Sequence, residues 1–463
     1  MSSPKIHFEI SERKMILYLF DLIFVWLGLY TVGYFFDFEY LESLTTEGVP
    51  ALVLAIYLSV FGLIFEMYKL QVASNEFQIL RSTILTASTT AFVYLLTPIF
   101  SPELPSNRIQ ILAFFVMLFS SLMVWRLFYV RFLASNRFMQ TAILVCENQE
   151  VEKLILGLED IDPHYKIIGY VSADEVECDN ARNHYVAQIM RNNLASFVKE
   201  HSVSEIVIAS QRTDGITTVL YQQLLHLLES GNVIREYTQV YESKTQRIPV
   251  HYMARDFYSF FPFSRSNQNK LYQTIVRGLD IILSIIGVIF GVALLPLIGI
   301  GNILGNPGPL FYVQKRVGKD GVAFDILKLR TMVKNAENDG AVFASCNDSR
   351  ITRFGKFLRK TRMDEIPQCI NILKGDMAVV GPRPERPEFV KEIADRMPFY
   401  ETRHVIKPGL TGWAQVNYSY GETIEDSLIK LQYDLYYIKH RSFYLDLNIA
   451  LKTITTVLFY RGQ

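Results

Sequence analysis

Cysteine is scarce in this sequence. It occurs four times in 463 residues, at Cys146, Cys178, Cys346 and Cys369, with no CxxC or histidine-rich spacing. A disulfide framework or a zinc module is therefore not expected. Net charge is absent as well, because 46 Lys/Arg balance 46 Asp/Glu. A general nucleic-acid binder carries a basic excess, so no nucleic-acid partner is expected. The amino terminus shows no short apolar region ending in a small-residue cleavage site, which argues against a cleavable signal peptide. Also missing are a G-x-G-x-x-G dinucleotide fingerprint and any Tyr-x-x-x-Lys pair of the short-chain dehydratase kind. Apolar residues, by contrast, make up 50% of the chain, with Phe 32 and Tyr 26, which excludes a disordered chain. They fall in blocks. Charge is also uneven: from Phe263 onward there are 27 Lys/Arg against 19 Asp/Glu, leaving the opposite imbalance upstream.

Four apolar runs lie in the first 135 residues, about Met15–Phe36, Pro50–Met67, Ile79–Phe100 and Ile109–Val130. Each approaches the roughly 20 residues that span a bilayer, which predicts a four-helix transmembrane bundle over residues 1–135. Arg13 and Lys14 precede the first run, Asp37, Glu39, Glu42 and Glu47 follow it, and Arg126, Arg131 and Arg137 close the fourth. The positive-inside rule then places the amino terminus and everything after Val130 in the cytoplasm. Asp21, Arg81 and Arg126 sit in or near these runs and are read as pairing between helices or snorkelling.

A fifth block, Leu279–Leu304, has basic flanks on both sides: Arg265, Lys270 and Arg277 before, Lys315, Arg316 and Lys319 after. A spanning helix would put one basic flank outside. Pro296 inside the block lacks a backbone donor and clashes with the preceding turn. The expectation is a re-entrant hairpin broken at Leu295–Pro296, entering and leaving by the cytoplasmic face.

Residues 140–250 alternate strand-like runs (Thr141–Cys146, Ile167–Val171, Glu205–Ala209) with helix-like ones (Val151–Leu158, Asn192–Glu200, Thr218–Leu228). This predicts a Rossmann-like α/β domain with a parallel sheet. Its first strand runs into Glu147-Asn148-Gln149-Glu150, where carboxylates replace the glycines that a pyrophosphate requires. The domain is read as degenerate and non-catalytic. Asp160-Ile161-Asp162 is read as a solvated helix end before Pro163, in preference to a metal-holding DxD. Residues 251–270, rich in aromatics, form the expected linker at the membrane surface.

Chemistry concentrates in residues 271–463. Lys328 and Arg330 lie in Phe324-Asp325-Ile326-Leu327-Lys328-Leu329-Arg330. Further on come Asp364-Glu365-Ile366-Pro367-Gln368, Gly381-Pro382-Arg383-Pro384, Lys407-Pro408-Gly409-Leu410-Thr411-Gly412-Trp413-Ala414-Gln415-Val416-Asn417 and Tyr433-Asp434-Leu435-Tyr436-Tyr437. A helix ending near Arg362 and another starting at Pro367 would put Asp364 and Glu365 at a helix amino terminus, where phosphate is favoured. One carboxylate could attack phosphorus while the other holds Mg²⁺, which takes one or two carboxylates plus substrate phosphates. The same pair could equally be a helix cap beside basic surface residues. Arg330 and Arg383 are candidate bidentate phosphate ligands. The helical pattern Leu447, Leu451, Ile454, Leu458 suits either a membrane-surface helix or a cover for the core.

In their order and spacing, these clusters resemble the catalytic domain of bacterial polyprenyl-phosphate sugar-1-phosphate transferases, the monotopic phosphoglycosyl transferases. The upstream helices and α/β domain resemble the long, exopolysaccharide-initiating branch. The resemblance implies an α+β catalytic domain on the cytoplasmic face of the bacterial inner membrane. It also implies transfer of a sugar-1-phosphate, hexose favoured, from a UDP-sugar to undecaprenyl phosphate, with UMP released and Mg²⁺ required. Asp364 maps onto the family nucleophile, Glu365 onto the metal-associated glutamate and Arg383 onto a phosphate-contacting arginine. Lys328, Arg330 and Asp434 occupy charged positions expected at the substrate site. The family also implies a homodimer and contact with membrane lipid.

Overall fold

The computed structural model of the chain describes residues 10–73, 76–98, 100–105, 107–133, 139–159, 165–174, 186–210, 217–250, 267, 269–334, 336, 348–397, 399–418 and 423–458. The Asp160–Asp162 motif and most of the 251–270 linker lie outside the described residues. Two compact units divide the chain, Met1–Thr245 and Gln246–Gln463.

In the first unit the run from Met15 has no proline before Asp37 and forms one helix, α1 (Ile10–Phe36). A short α2 (Glu39–Thr46) meets α3 (Gly48–Ile64) at an 87° bend. Then come α4 (Leu70–Ala73), α5 (Glu76–Leu95) and α6 (Ile109–Phe128). Helices α1, α2, α3, α5 and α6 share a core that includes Leu29, Leu41, Leu58, Ala91, Phe114 and Leu122. Among the described residues, three helices are long and apolar enough to cross a membrane: α1, α6 with its continuation to Phe132, and a helix of the second unit. The bent α2–α3 pair would make a fourth. The run predicted at Ile79–Phe100 is a helix, but α5 falls short of that apolarity. Its buried face carries Thr83, Thr86 and Thr90, whose hydroxyls lower the hydropathy of the segment. Asp21 of α1 and Arg126 of α6 pair with each other, 0% and 1% exposed, and Arg126 also donates to the Met67 carbonyl at 2.8 Å. Asp21 and Arg126 thus pair between helices, as expected.

The α/β part is a five-stranded, all-parallel sheet of order β3-β2-β1-β4-β5. Its strands are β1 (Gln140–Cys146), β2 (Tyr165–Ser172), β3 (Ala187–Gln188), β4 (Glu205–Ile208) and β5 (Val233–Glu236). The helices are α7 (Val151–Glu159), α8 (Leu194–His201), α9 (Thr218–Glu229) and α10 (Tyr237–Thr245). The order is that of the first five strands of the doubly wound Rossmann sheet, 3-2-1-4-5-6. Sequence reading missed β3 and β5, because two-residue and half-exposed strands carry no apolar run. At the carboxyl end of β1, Glu147 accepts from Ser210 Oγ at 2.7 Å, and the Asn148 amide donates to Asp174 at 3.0 Å. Carboxylates thus stand where a Rossmann fold cradles phosphate.

The second unit begins at Gln246, a few residues before the expected boundary. Ile248 and Val250 belong to its core, and the Ile248 amide donates to the Gln432 carbonyl. Its first helix is α11 (Lys270–Gly305), 36 residues capped by the Asn269 side chain and about 54 Å long at 1.5 Å per residue. The helix runs uninterrupted through Pro296, so the break expected at Leu295–Pro296 reduces to one missing backbone donor inside a continuous helix. The antiparallel hairpin β6 (Phe311–Val317) and β7 (Ala323–Leu329) follows. Next are α12 (Arg353–Lys360), α13 (Gln368–Lys374), β8 (Ala378–Val380) and α14 (Pro387–Arg396). The chain then forms β9 (Gly409–Thr411), parallel to β8, then α15 (Trp413–Asn417), α16 (Ile424–His440) and α17 (Phe443–Leu458). The core gathers Phe389, Ile393, Trp413, Leu431, Tyr437 and Ile449. Ile449 thus places one face of α17 in that core, while Tyr444, Leu447 and Ile454 stay exposed.

His404 lies beside this core, and burial together with the neighbouring Arg403 lowers its pKa to about 4. The folded ring then stays neutral while the unfolded ring takes a proton below pH 6.5. Stability from this group is present above pH 6.5 and lost as the pH falls towards 4. The melting temperature of wild type should therefore fall by a few degrees relative to His404→Gln over that window. Parallel melting curves for the two proteins would refute it.

Candidate active site

The local chain path explains how two carboxylates come to be buried together. Helix α12 ends at Lys360, and Arg362 turns the chain through the left-handed region (φ 58°), a conformation that costs a non-glycine residue about 1–2 kcal/mol. Met363–Glu365 then make a separate 3-10 turn, and Pro367 caps α13. The dyad therefore precedes α13 instead of occupying its first turn. Asp364 is 8% exposed and Glu365 7%.

Three cations surround Glu365. Arg383 Nη2 donates to Oε1 at 2.9 Å, Lys328 Nζ lies 4.0 Å from the same oxygen, and Arg362 Nη1 donates to Oε2 at 3.3 Å. Burial opposes ionisation of Glu365, but Arg383, Lys328 and Arg362 outweigh it and hold its pKa below the usual range. Asp364 moves the other way, pushed up by burial and by the charge of Glu365. Burial and Arg383 pull Lys328 down to about 8, against the attraction of Glu365. The Oδ1 atom of Asp364 is buried with no hydrogen-bond partner, and so is Nε2 of Gln368. Buried polar atoms rarely go unpartnered unless something else meets them. The site thus offers one bare carboxylate oxygen, one bare amide donor and a cationic rim.

Lys328, Asp364, Glu365 and Arg383 therefore meet. Arg330 and Asp434 do not join them. Arg330 donates to Pro309 O (2.7 Å), Asn306 Oδ1 (2.8 Å), Asn306 O (2.5 Å) and Met332 O (3.0 Å). Those bonds use four of a guanidinium's five donors, so Arg330 ties down the end of α11 and is not a free phosphate ligand. Asp434 is buried against Arg403 at 2.7 Å, one layer behind the rim. Sequence reading missed Arg362, Arg403 and Gln368. Gln368 was visible only as the last residue of the Asp-Glu-Ile-Pro-Gln cluster, and Arg403 carried no motif.

Helix α11 packs along its whole length against this unit. Arg277 donates to the Ile372 and Leu373 carbonyls, and Asp280 accepts from the Val379 amide. At the far end Asn302 donates to Gly308 O and Asn306 to Arg330 O. Between them, a Cβ on Gly287 would stand 2.5 Å from Cys369 Sγ, and one on Gly291 2.7 Å from Ile366 Cγ2. The opposite face, including Ile282, Ile286, Ile289 and Leu297, is exposed.

A divalent metal fits the donor set. Among the described residues no group of three His, Cys, Asp or Glu is poised as a protein-only cage, whereas Asp364 Oδ1 is unpartnered beside a second carboxylate. Mg²⁺ typically takes one or two carboxylates and completes its shell with water and substrate phosphates.

Two family models and several known proteins match the chain. Residues 271–460 match the bacterial sugar transferase family, and residues 63–221 match a CoA-binding domain. A putative undecaprenyl-phosphate N-acetylgalactosaminyl 1-phosphate transferase of Bacillus subtilis is 43% identical over 141 residues, 30% of this chain and 79% of its own length. An Aeromonas hydrophila UDP-N-acetylgalactosamine-undecaprenyl-phosphate N-acetylgalactosaminephosphotransferase is 38% identical over 55% of this chain and 59% of its own. A UDP-glucose:undecaprenyl-phosphate glucose-1-phosphate transferase of Xanthomonas campestris pv. campestris is 40% identical over 40% of each. The match thus spans about half the length of the latter two. The chain belongs to the bacterial sugar transferase family, in its long form with an upstream helical and Rossmann-like part.

Proposed function

We propose that the protein transfers a sugar-1-phosphate from a UDP-sugar to undecaprenyl phosphate at the cytoplasmic surface of the bacterial inner membrane. The observation that carries this reading is the bare, buried Asp364 oxygen beside a glutamate ringed by Arg383, Lys328 and Arg362. Asp364 attacks the phosphorus that bears the sugar, the phosphoanhydride bond breaks, and UMP leaves. An oxygen of the lipid phosphate then attacks the same phosphorus, freeing the Asp364 carboxylate and forming the lipid-diphosphate-sugar. Splitting the displacement this way means the two substrates need not share the site. Lys328 and Arg383 hold phosphate oxygens, and Gln368 Nε2 supplies a neutral donor. Asp364 and Glu365 would hold Mg²⁺, which when bound offsets the negative charge gathering at the phosphates.

Depth in the membrane follows from α11. Both of its ends dock on the same unit while its outer face is apolar and exposed, which supports a shallow placement of that face in the membrane over a crossing. The upstream helices would add a four-helix transmembrane anchor, with the α/β domain a non-catalytic module. A homodimer is carried over from the family resemblance alone.

The test is the intact mass of lipid-particle-embedded protein after incubation with Mg²⁺ and UDP-glucose or UDP-N-acetylgalactosamine, without acceptor, followed by UMP release once undecaprenyl phosphate is added. A hexose-phosphate or N-acetylhexosamine-phosphate adduct identifies the donor. Failure of both adduct and UMP release would favour a non-catalytic membrane scaffold.

The α11–α13 contact should matter to turnover. Gly291→Leu places a side chain where Ile366 already lies, one residue from Glu365. It should cost about 1–3 kcal/mol of stability and lower UMP release about 10²-fold through displacement of the dyad. Gly299→Leu, with nothing within 4 Å of its Cβ, should leave both unchanged. Equal behaviour of the two variants would contradict the packing argument.

A further inference from the structure

Resting on that reading of the site, we infer that Arg403 is a positioning residue, held by Asp434, that sets where Arg383 presents its guanidinium to Glu365. Arg403 belongs to the 3-10 segment Tyr400–Val405, which Phe399 enters through the left-handed region (φ 67°). Its side chain is buried and makes three hydrogen bonds: Nη1 to Tyr400 Oη at 2.6 Å, Nη2 to Asp434 Oδ2 at 2.7 Å and Nη2 to the Arg383 carbonyl at 2.9 Å. The last bond goes to the backbone of the residue whose side chain holds Glu365 at 2.9 Å. A continuous chain therefore runs from the Asp434 carboxylate through Arg403 to the Arg383 backbone and on to the dyad.

The segment that carries Arg383 has no regular secondary structure and lies between β8 and α14. A loop that aims a catalytic side chain must be held from outside. Here the Pro382 carbonyl accepts from the Gly409 amide, the Pro384 carbonyl from Arg316 at 3.2 Å and the Glu385 carbonyl from the Val317 amide. The bond from Arg403 falls at Arg383 itself, between those two anchored stretches. Asp434 matters because a buried guanidinium needs an anionic partner to offset its lost hydration and to fix its place. It lies on α16, so the pair ties the loop to the core helix. Neither residue is placed against the dyad directly.

The relay is tested in the full chain in lipid particles, with Mg²⁺, undecaprenyl phosphate and whichever of UDP-glucose or UDP-N-acetylgalactosamine wild type turns over. Arg403→Lys and Asp434→Asn should each lower kcat by about 10²-fold, with the donor KM changing less than about threefold. On an Arg383→Ala background, Arg403→Lys should change kcat less than about twofold, because its effect passes through a side chain already gone. Hydrogen exchange supplies a readout independent of turnover. Amides of residues 377–386 should exchange faster in Arg403→Lys but not in Arg383→Ala, which keeps the backbone carbonyl. Equal losses on both backgrounds, or unchanged exchange in Arg403→Lys, would overturn the relay. If wild type releases no UMP from either donor, the transferase reading falls, and exchange alone decides the relay.

Discussion

Asp364→Asn will abolish the sugar-phosphate adduct and lower UMP release by at least about 10⁴-fold, the scale on which removal of a covalent nucleophile acts. The substitution nearly preserves volume, and Asp364 is buried with one oxygen unpartnered, so the fold should survive. An amide oxygen does not displace UMP from phosphorus. Asp364→Glu keeps the charge but moves it by a methylene and should lose about 10²-fold. Arg383→Ala removes the guanidinium that donates to Glu365 and should lose about 10²–10³-fold. Intact mass and UMP release together decide the matter. An adduct that persists in Asp364→Asn would move the nucleophile elsewhere, and unchanged UMP release would remove the dyad from the chemistry.

The second large effect lies among the apolar helices. Asp21→Leu strands the Arg126 charge at 1% exposure, and breaking a buried ion pair from one side typically costs about 3–5 kcal/mol. The double substitution Asp21→Leu/Arg126→Met removes both charges and should recover most of that loss, although it gives up the bond to Met67 O. Thermal unfolding of the detergent-solubilised variants measures it. A single variant as stable as wild type, or a double variant no better than the single, would mean the pair is not what holds α1 to α6.

Much of this arrangement was legible from residue order. The apolar runs at Met15 and Ile109 became single helices because an unbroken apolar stretch leaves the backbone no other way to satisfy its donors in an apolar setting. The alternation from Thr141 to Leu228 announced a parallel sheet, since strands buried on both faces read as continuous apolar runs. Asp364 and Glu365 stood out as adjacent carboxylates between a helix ending near Arg362 and another starting at Pro367. The run at Ile79–Phe100 was legible as a helix but not as one short of spanning apolarity, which the threonines on the buried face of α5 bring about. The Pro296 break was overstated, because local sequence shows the missing donor but not the neighbours that keep a helix going through it.

The division between the two kinds of information is physical. Sequence by itself determined the apolar blocks, the missing glycine fingerprint, the dyad and the basic surplus after Phe263, because each depends on composition or on neighbours along the chain. Only the tertiary structure decided which charges meet. It set Arg383, Lys328 and Arg362 around Glu365, drew Arg330 away to the end of α11, and put Asp434 behind Arg403. Apart from Arg362, which stands three residues before Glu365, those contacts join residues 18 to 37 positions apart. Ion pairing falls off within a few ångströms, and nothing in a linear sequence records a distance of that kind.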